Sequence, residues 1–449
     1  MEEYIRKLLE QVRFKAAHKG IEDEIRSHIE DQIEDNMRSG MDDDSAMKAA
    51  IKDMGDPVEV GISMDKVHRP KIAWGVVIFA MIIGLCSILV HEFILKDPSA
   101  GNIDGSLAGS YIFYTKVLIG FGAMILIYLV DYTVIAKYSR AIAVIMIAVI
   151  MFSKFSETVN GYVRYLSIGP VNFLITSFML LYVPVYGGIL YKYRGGGAGA
   201  FIKALLWMIF PVMFFKTPSL MTMLVLVITL SLQLSLAIAK GWYKVPRVPV
   251  LAGIWSIIIL GPVAFVVTLF ITGSISDYQI ARLRAFIYTD NEQGYVTGMV
   301  RSLAVVNLLG DTGKDVFGTL PGPNDEFLLL YLANKFGFII VALLVIAVVT
   351  VVIMGILAST RCKNQLGLVM GIGCMNVLLA NLIINVLENL GLLPYSSSFM
   401  PFFSAGGSNV ILAYIMLGII LSIYKYKEAY TGHVDVRTNF KFKIEKVRN

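Results

Sequence analysis

The chain has 449 residues, 56% of them hydrophobic and 16% charged, where an ordinary globular domain is about a quarter charged. Its formal charge of +6 is unevenly placed: residues 1–70 carry seventeen acidic and eleven basic side chains, net −6, and the remainder nets +12. A soluble enzyme is excluded by this composition, and so is nucleic-acid binding, because the excess basic residues sit between hydrophobic runs and form no stripe.

In chain order, the first feature is an apolar set at Tyr4, Ile5, Leu8, Leu9 and Val12. Ile21, Ile25, Ile29, Ile33 and Met37 then recur every four residues, one face of an amphipathic helix. Gly40 closes that helix, and Asp44 or Ser45 can cap another through Met47, Ala50, Ile51 and Met54, stopped by Gly55 and Pro57. Three short helices predict a small cytoplasmic bundle over residues 1–70. It reads either as a docking module for a cytoplasmic partner or as a solvated cap, and a start this charged is no cleaved signal peptide. The ending Asp53-Met54-Gly55-Asp56-Pro57 resembles that of the small HAAS-type cytoplasmic helical domain found at the start of some bacterial membrane proteins.

Beyond residue 70 the chain is mostly apolar. A hydrocarbon core roughly 30 Å thick needs about 20 apolar residues per helix. Ten such runs occur, near 71–91, 111–130, 135–153, 168–190, 199–215, 219–239, 248–272, 327–357, 365–390 and 405–424. The fold class is therefore all-α, a polytopic membrane protein of about ten transmembrane helices over residues 71–430. Basic residues follow alternate runs (Lys137 and Arg140; Lys192, Arg194 and Lys203; Lys240, Lys244 and Arg247; Arg361 and Lys363; Lys425 and Lys427), which places both termini in the cytoplasm. The basic tail 431–449 would lie along anionic membrane lipid. Cys86, Cys362 and Cys374, far apart and in or beside apolar runs, read as small buried hydrophobes.

The long outer loop 273–326 is where chemistry is expected, since connections of that length are usually functional. It holds seven of the sixteen carboxylates beyond residue 70. Mixed charge against a membrane face suits an anionic headgroup and a carboxylate that moves a proton. No Walker loop, GxSxG, HExxH or dinucleotide fingerprint stands out, and no acidic pair has metal-site spacing. No cofactor is firmly implied; a divalent cation is compatible with the acidic loop.

Four segments, in order, resemble the SEDS family of FtsW, RodA and SpoVE. They are Asn160-Gly161-Tyr162-Val163-Arg164-Tyr165 with Ile168-Gly169-Pro170; Tyr278-Gln279-Ile280-Ala281-Arg282 with Phe286; Leu320 through Phe327 with Phe336-Gly337-Phe338; and Gly391-Leu392-Leu393-Pro394 with Pro401 through Ser408. The resemblance implies a peptidoglycan glycosyltransferase on the outer face of the bacterial plasma membrane. It would join units of lipid II, or of another polyprenyl-linked sugar, in company with a class B penicillin-binding protein. Ungapped, the family's catalytic aspartate falls on Glu326, with Asp325 one residue before it as the alternative. Arg164, Tyr278, Arg282, Arg301, Asn385, Ser404, Gly406, Gly407 and Ser408 are then the substrate-binding candidates.

The chain also departs from the family pattern. Ser177 and Ser219 stand where the family has acids, and Asn334-Lys335 stands where it has an acidic pair. These changes leave two alternatives beside catalysis: a scaffold of the same fold that binds a penicillin-binding protein or lipid, and a transporter of lipid-linked sugar.

Overall fold

The structure, a computed structural model, describes residues 1–97, 107–153, 165–168, 171–214, 219–272, 295–320, 325–394, 396 and 398–430. Arg164, Tyr278, Arg282 and the tail 431–449 lie outside the described residues.

The head has four helices where the sequence suggests three: α1 (Glu2–Glu10), α2 (His18–Arg38), α3 (Asp43–Asp53) and α4 (Pro57–His68). Asp42, not Asp44 or Ser45, caps α3, its carboxylate accepting the Ser45 amide. Pro57 starts a helix instead of ending one: at the first helical position its missing N–H costs nothing, and Asp56 caps the turn. That fourth helix folds back on the first so closely that a Cβ at Gly61 would lie 2.5 Å from the Leu8 carbonyl. Ile5, Leu8, Ile21, Ile25, Ile29 and Ala50 form the head's core, while Met37 at the end of the stripe is exposed.

All ten apolar runs contain a helix. Nine helices among the described residues are long and apolar enough to cross a membrane. They are α5 (Trp74–Leu95), α6 (Leu107–Leu129), α7 (Tyr132–Ser153), the pair α8 (Ile175–Leu180) and α9 (Tyr182–Lys192) as one span, α11 (Leu220–Ala239), α12 (Arg247–Ile271), α15 (Phe338–Thr360), α16 (Gln365–Asn389) and α17 (Gly407–Lys425). The run 199–215 gives the shorter α10 (Ala198–Phe214), which carries Pro211.

Two runs are divided. The start of 168–190 is not helical: Tyr165–Ile168 and Val171–Leu174 pair as an antiparallel hairpin, β1 and β2, and the span begins at Ile175. The run 327–357 breaks at Gly337 into a short helix α14 (Leu328–Phe336) and the span α15, because the loop backbone crosses there. A Cβ at Gly337 would meet Leu309 Cα at 2.5 Å, and its φ of 94° also requires glycine. Helix α13 (Tyr295–Leu303) lies in the long connection between α12 and α14.

The most extensive helix contact is between α6 and α17, which run side by side in the same direction. Tyr414 enters between Gly84 and Gly120, and Gly418 lies against the Met124 backbone. Small residues at such crossings are how membrane helices approach closely.

At one end of this bundle sits the head. The Phe14 ring stacks on Tyr426 with centroids 5.3 Å apart, His68 Nδ1 donates to the Glu428 carbonyl at 2.7 Å, and the Lys71 amide donates to the Lys425 carbonyl at 3.0 Å. The basic residues that flank the spans gather at this same end, where Lys363 pairs with Glu428 at 3.0 Å and Lys192 reaches the Lys137 carbonyl. Helix α17 runs from there to the opposite face, about 28 Å for its 19 residues.

Candidate active site

The head-distal face is built from a backbone kink. Phe402, fully buried, has a φ of 70°, a left-handed conformation rare for a bulky residue and costing of order 1–3 kcal/mol. It is held from two sides. Ser87 donates to the Phe402 carbonyl at 2.8 Å and a His91 ring nitrogen to the Phe403 carbonyl at 2.7 Å, while the Phe402 ring packs edge-on against Tyr414 at 5.3 Å. The bend turns Ser404 inward. Its hydroxyl accepts the Met400 amide at 2.9 Å and donates to the Asp325 carbonyl at 3.0 Å.

The turn 325–327 is gripped from α16 as well. Asn385 and Asn389, one helical turn apart, both donate to the Glu326 carbonyl at 2.9 Å, and Asn389 also accepts the Leu330 amide at 2.9 Å. Asn385 and Ser404, expected to bind substrate, thus hold the backbone that carries the two candidate carboxylates. Asn389 escaped the sequence reading; the signal was its place on the face of Asn385, four residues on.

From this shared backbone the neighbouring carboxylates enter different groups. The Glu326 side chain, buried at 9% exposure, acts electrostatically on Glu388, whose oxygens take the Ser396 amide and the Ser398 hydroxyl. Asp325 is half-buried, and its Oδ1 accepts the Gly406 amide at 3.3 Å, just before α17 begins. A carboxylate at a helix N-terminus is favoured by the helix dipole. The Gly406-Gly407 step is shaped by its neighbours. A Cβ at Gly406 would lie 3.1 Å from Asp325 Oδ2, and one at Gly407 2.8 Å from Lys116 Cδ. In the first turn of α17, Asn409 accepts the Ser177 hydroxyl at 2.6 Å and Ser408 accepts the Leu174 amide at 2.9 Å. Arg301 stands with a different segment, its Nε donating to the Gly391 carbonyl at 3.3 Å.

The positions lacking the family's acids have other work. Ser219 caps α11 through the Thr222 amide. Lys335 pairs with Asp311 at 3.0 Å and Asp97 at 3.4 Å, so the reversed charge is met by carboxylates from the loop and from the end of α5. These residues line a cavity of about 280 Å³ with Tyr331, Lys314 and Asp315. Among the described residues no group of three or more His, Cys, Asp or Glu is placed to hold a metal ion.

This ion-paired corner gives a pH prediction. The Gly313 amide and then Lys335 hold the Asp311 carboxyl below its ordinary value of 3.8, and the hydrogen bond to Asp311 raises Lys335 above 10.5. A depressed carboxyl stabilises above its unfolded value and loses that contribution as pH falls through the folded one; a raised ammonium does the reverse. The protection of the 311–313 amides, taken as the intrinsic over the observed exchange rate, will therefore stay flat from about pH 5 to 10 and fall below about pH 4, and Lys335→Met will remove the part due to the ion pair while the Gly313 bond keeps the rest.

Together these features define a class: a polytopic helical membrane protein with a pair of carboxylates on the face opposite its charged helical head. The sequence profile of the FtsW/RodA/SpoVE cell cycle proteins matches residues 70–429, and the chain belongs to that family. It is 29% identical over 163 residues, 33% of this chain and 40% of the relative, to a Thioalkalivibrio protein named "Probable peptidoglycan glycosyltransferase FtsW". The chain thus spans about two fifths of the length of that curated relative. Two solved structures share the fold. A chain from a peptidoglycan synthase complex aligns with a TM-score of 0.63 at 17% identity, covering 79% of this chain and 97% of that one. The Thermus thermophilus rod shape determining protein RodA aligns with a TM-score of 0.54 at 15% identity, with the same coverage.

Proposed function

We propose that the protein is a peptidoglycan glycosyltransferase that polymerises lipid II at the outer membrane face, with a class B penicillin-binding protein as partner. The observation that carries this reading is the half-buried Asp325 carboxylate, held by the Gly406 amide on the face opposite the head. The basic residues gathered at the head's end support a cytoplasmic head and termini, and hence an outward site, by the positive-inside tendency. Residues 1–70 are then free to meet a cytoplasmic partner.

In the proposed step a carboxylate takes the proton of the acceptor sugar's hydroxyl. The freed oxygen attacks the donor's anomeric carbon, the bond from that carbon to the diphosphate oxygen breaks, and the electron pair leaves with the polyprenyl diphosphate. We assign the base to Asp325, because its carboxylate lies with Gly406, Gly407 and the Ser177–Asn409 pair, whereas Glu326 is buried towards Glu388. The ungapped register favours Glu326 instead, and the two assignments differ in their expected mutant rates.

Purified full-length protein given labelled lipid II, with and without a class B penicillin-binding protein, tests the reading. Glycan polymer is the expected product. Binding of the partner without polymer would replace this reading with the scaffold, which the uncharged Ser177 and Ser219 favour. Movement of lipid II across liposomes without polymer would favour transport.

A further inference from the structure

Lys116 is the sole charged residue of the apolar span α6, and neither the composition nor the family resemblance gives it a role. It is half-buried. Its Nζ donates to the Ala405 carbonyl at 3.2 Å, which uses one of an ammonium's three donors. No carboxylate among the described residues forms an ion pair with it. The one that acts on it, Asp325, does so at longer range. A cation inside a membrane span is costly, is usually functional, and is expected to meet a counter-charge. Among the described residues it is the Ala405 carbonyl that meets the ammonium.

The surroundings are fitted to this side chain. Gly407 has no Cβ where one would strike Lys116 Cδ at 2.8 Å and Cε at 3.0 Å, so the stem passes over the start of α17 to reach the Ala405 carbonyl. On the adjacent Gly406 sits the Asp325 carboxylate. A proton acceptor and a cation therefore flank one glycine pair, with His91 behind Lys116 committed to the Phe403 carbonyl. A transfer that frees a diphosphate needs positive charge where the leaving oxygens gather, in a site of low dielectric.

We infer that Lys116 binds the diphosphate of a polyprenyl-linked sugar and offsets the charge that develops on it as the sugar–oxygen bond breaks. This rests on the glycosyl-transfer reading above and adds to it the residue that takes the leaving group. Removing one such charge donor typically costs about 10²–10³-fold in kcat.

The test is made on binding, so that it does not depend on turnover. Full-length protein in nanodiscs is titrated with a polyprenyl diphosphate and with the polyprenol of equal chain length. Wild type is expected to prefer the diphosphate at least about tenfold, one charge-assisted contact. Lys116→Met, apolar and of similar length, should bring that preference near unity without changing polyprenol binding, and Lys116→Arg should retain most of it. An unchanged preference in Lys116→Met, or none in wild type, overturns the inference. Should Lys116→Met fail to give monodisperse protein, Lys116→Gln makes the same comparison. A Lys116-dependent preference in a protein that forms no polymer would leave this inference standing and remove the polymerase reading. Polymer formation with a preference indifferent to Lys116 would do the opposite.

Discussion

Asp325→Asn will lower lipid II polymerisation by about 10²–10⁴-fold, the usual loss when a general base is removed, while Glu326→Gln will cost less than about tenfold. Both changes keep side-chain size, and neither disturbs the carbonyls that Ser404, Asn385 and Asn389 hold. The difference expected between them comes from where each carboxylate lies. Asp325 sits at the Gly406 amide, beside the first turn of α17. Glu326 is buried and acts on Glu388 instead. Steady-state rates with matched protein amounts make the comparison. The reverse pattern, polymer lost in Glu326→Gln and kept in Asp325→Asn, would return the role to position 326. Lengthening the side chain in Asp325→Glu should also be costly, since a misplacement near 1 Å can lose about 100-fold.

The second large effect is on stability. Gly418→Val will destabilise the protein by about 3 kcal/mol or more, at the upper end of overpacking costs. Its new Cβ would lie 2.7 Å from the Met124 carbonyl oxygen, and a helix backbone cannot turn aside as a side chain can. Gly120→Val will act similarly through Tyr414, whose ring would be 2.6 Å away. That ring is confined by Gly84 on one side and packs edge-on against Phe402. Gly122→Val, two residues along α6, meets nothing within 4 Å and should be nearly neutral. Thermal unfolding in one detergent, followed by loss of the monodisperse peak, compares the three. Equal midpoints for Gly418→Val and Gly122→Val would refute the packing argument. Because α17 joins the Asp325 site to the Phe14 and His68 contacts of the head, Gly418→Val is also expected to reduce activity at temperatures where the protein stays folded.

Much of this was present in the amino-acid order. Runs of about 20 apolar residues can cross a membrane in few ways, so all ten mark helices. The four-residue repeat from Ile21 to Ile33 fixed the buried face of α2, because a helical period leaves one stripe facing inward. The Pro401–Ser408 segment and Asp325-Glu326 were recognisable as motifs and lie together in space. Local rules misread the places where a distant segment intervenes. Pro57 read as a stop until Asp56 capped a fourth helix. Gly337 was hidden inside one hydrophobic run until the loop at Leu309 crossed it.

Hydrophobic length and charge placement alone determined a many-span membrane protein with an acidic soluble head, since burial in lipid and exposure to water depend on composition along the chain. Which carboxylate faces the glycine pair, what Asn385 and Ser404 hold, and that Lys116 reaches the same glycine pair from a span some two hundred residues earlier were decided only in three dimensions. Those facts depend on the directions of side chains on packed helices, and a single turn of α6 or α16 would send each of them elsewhere.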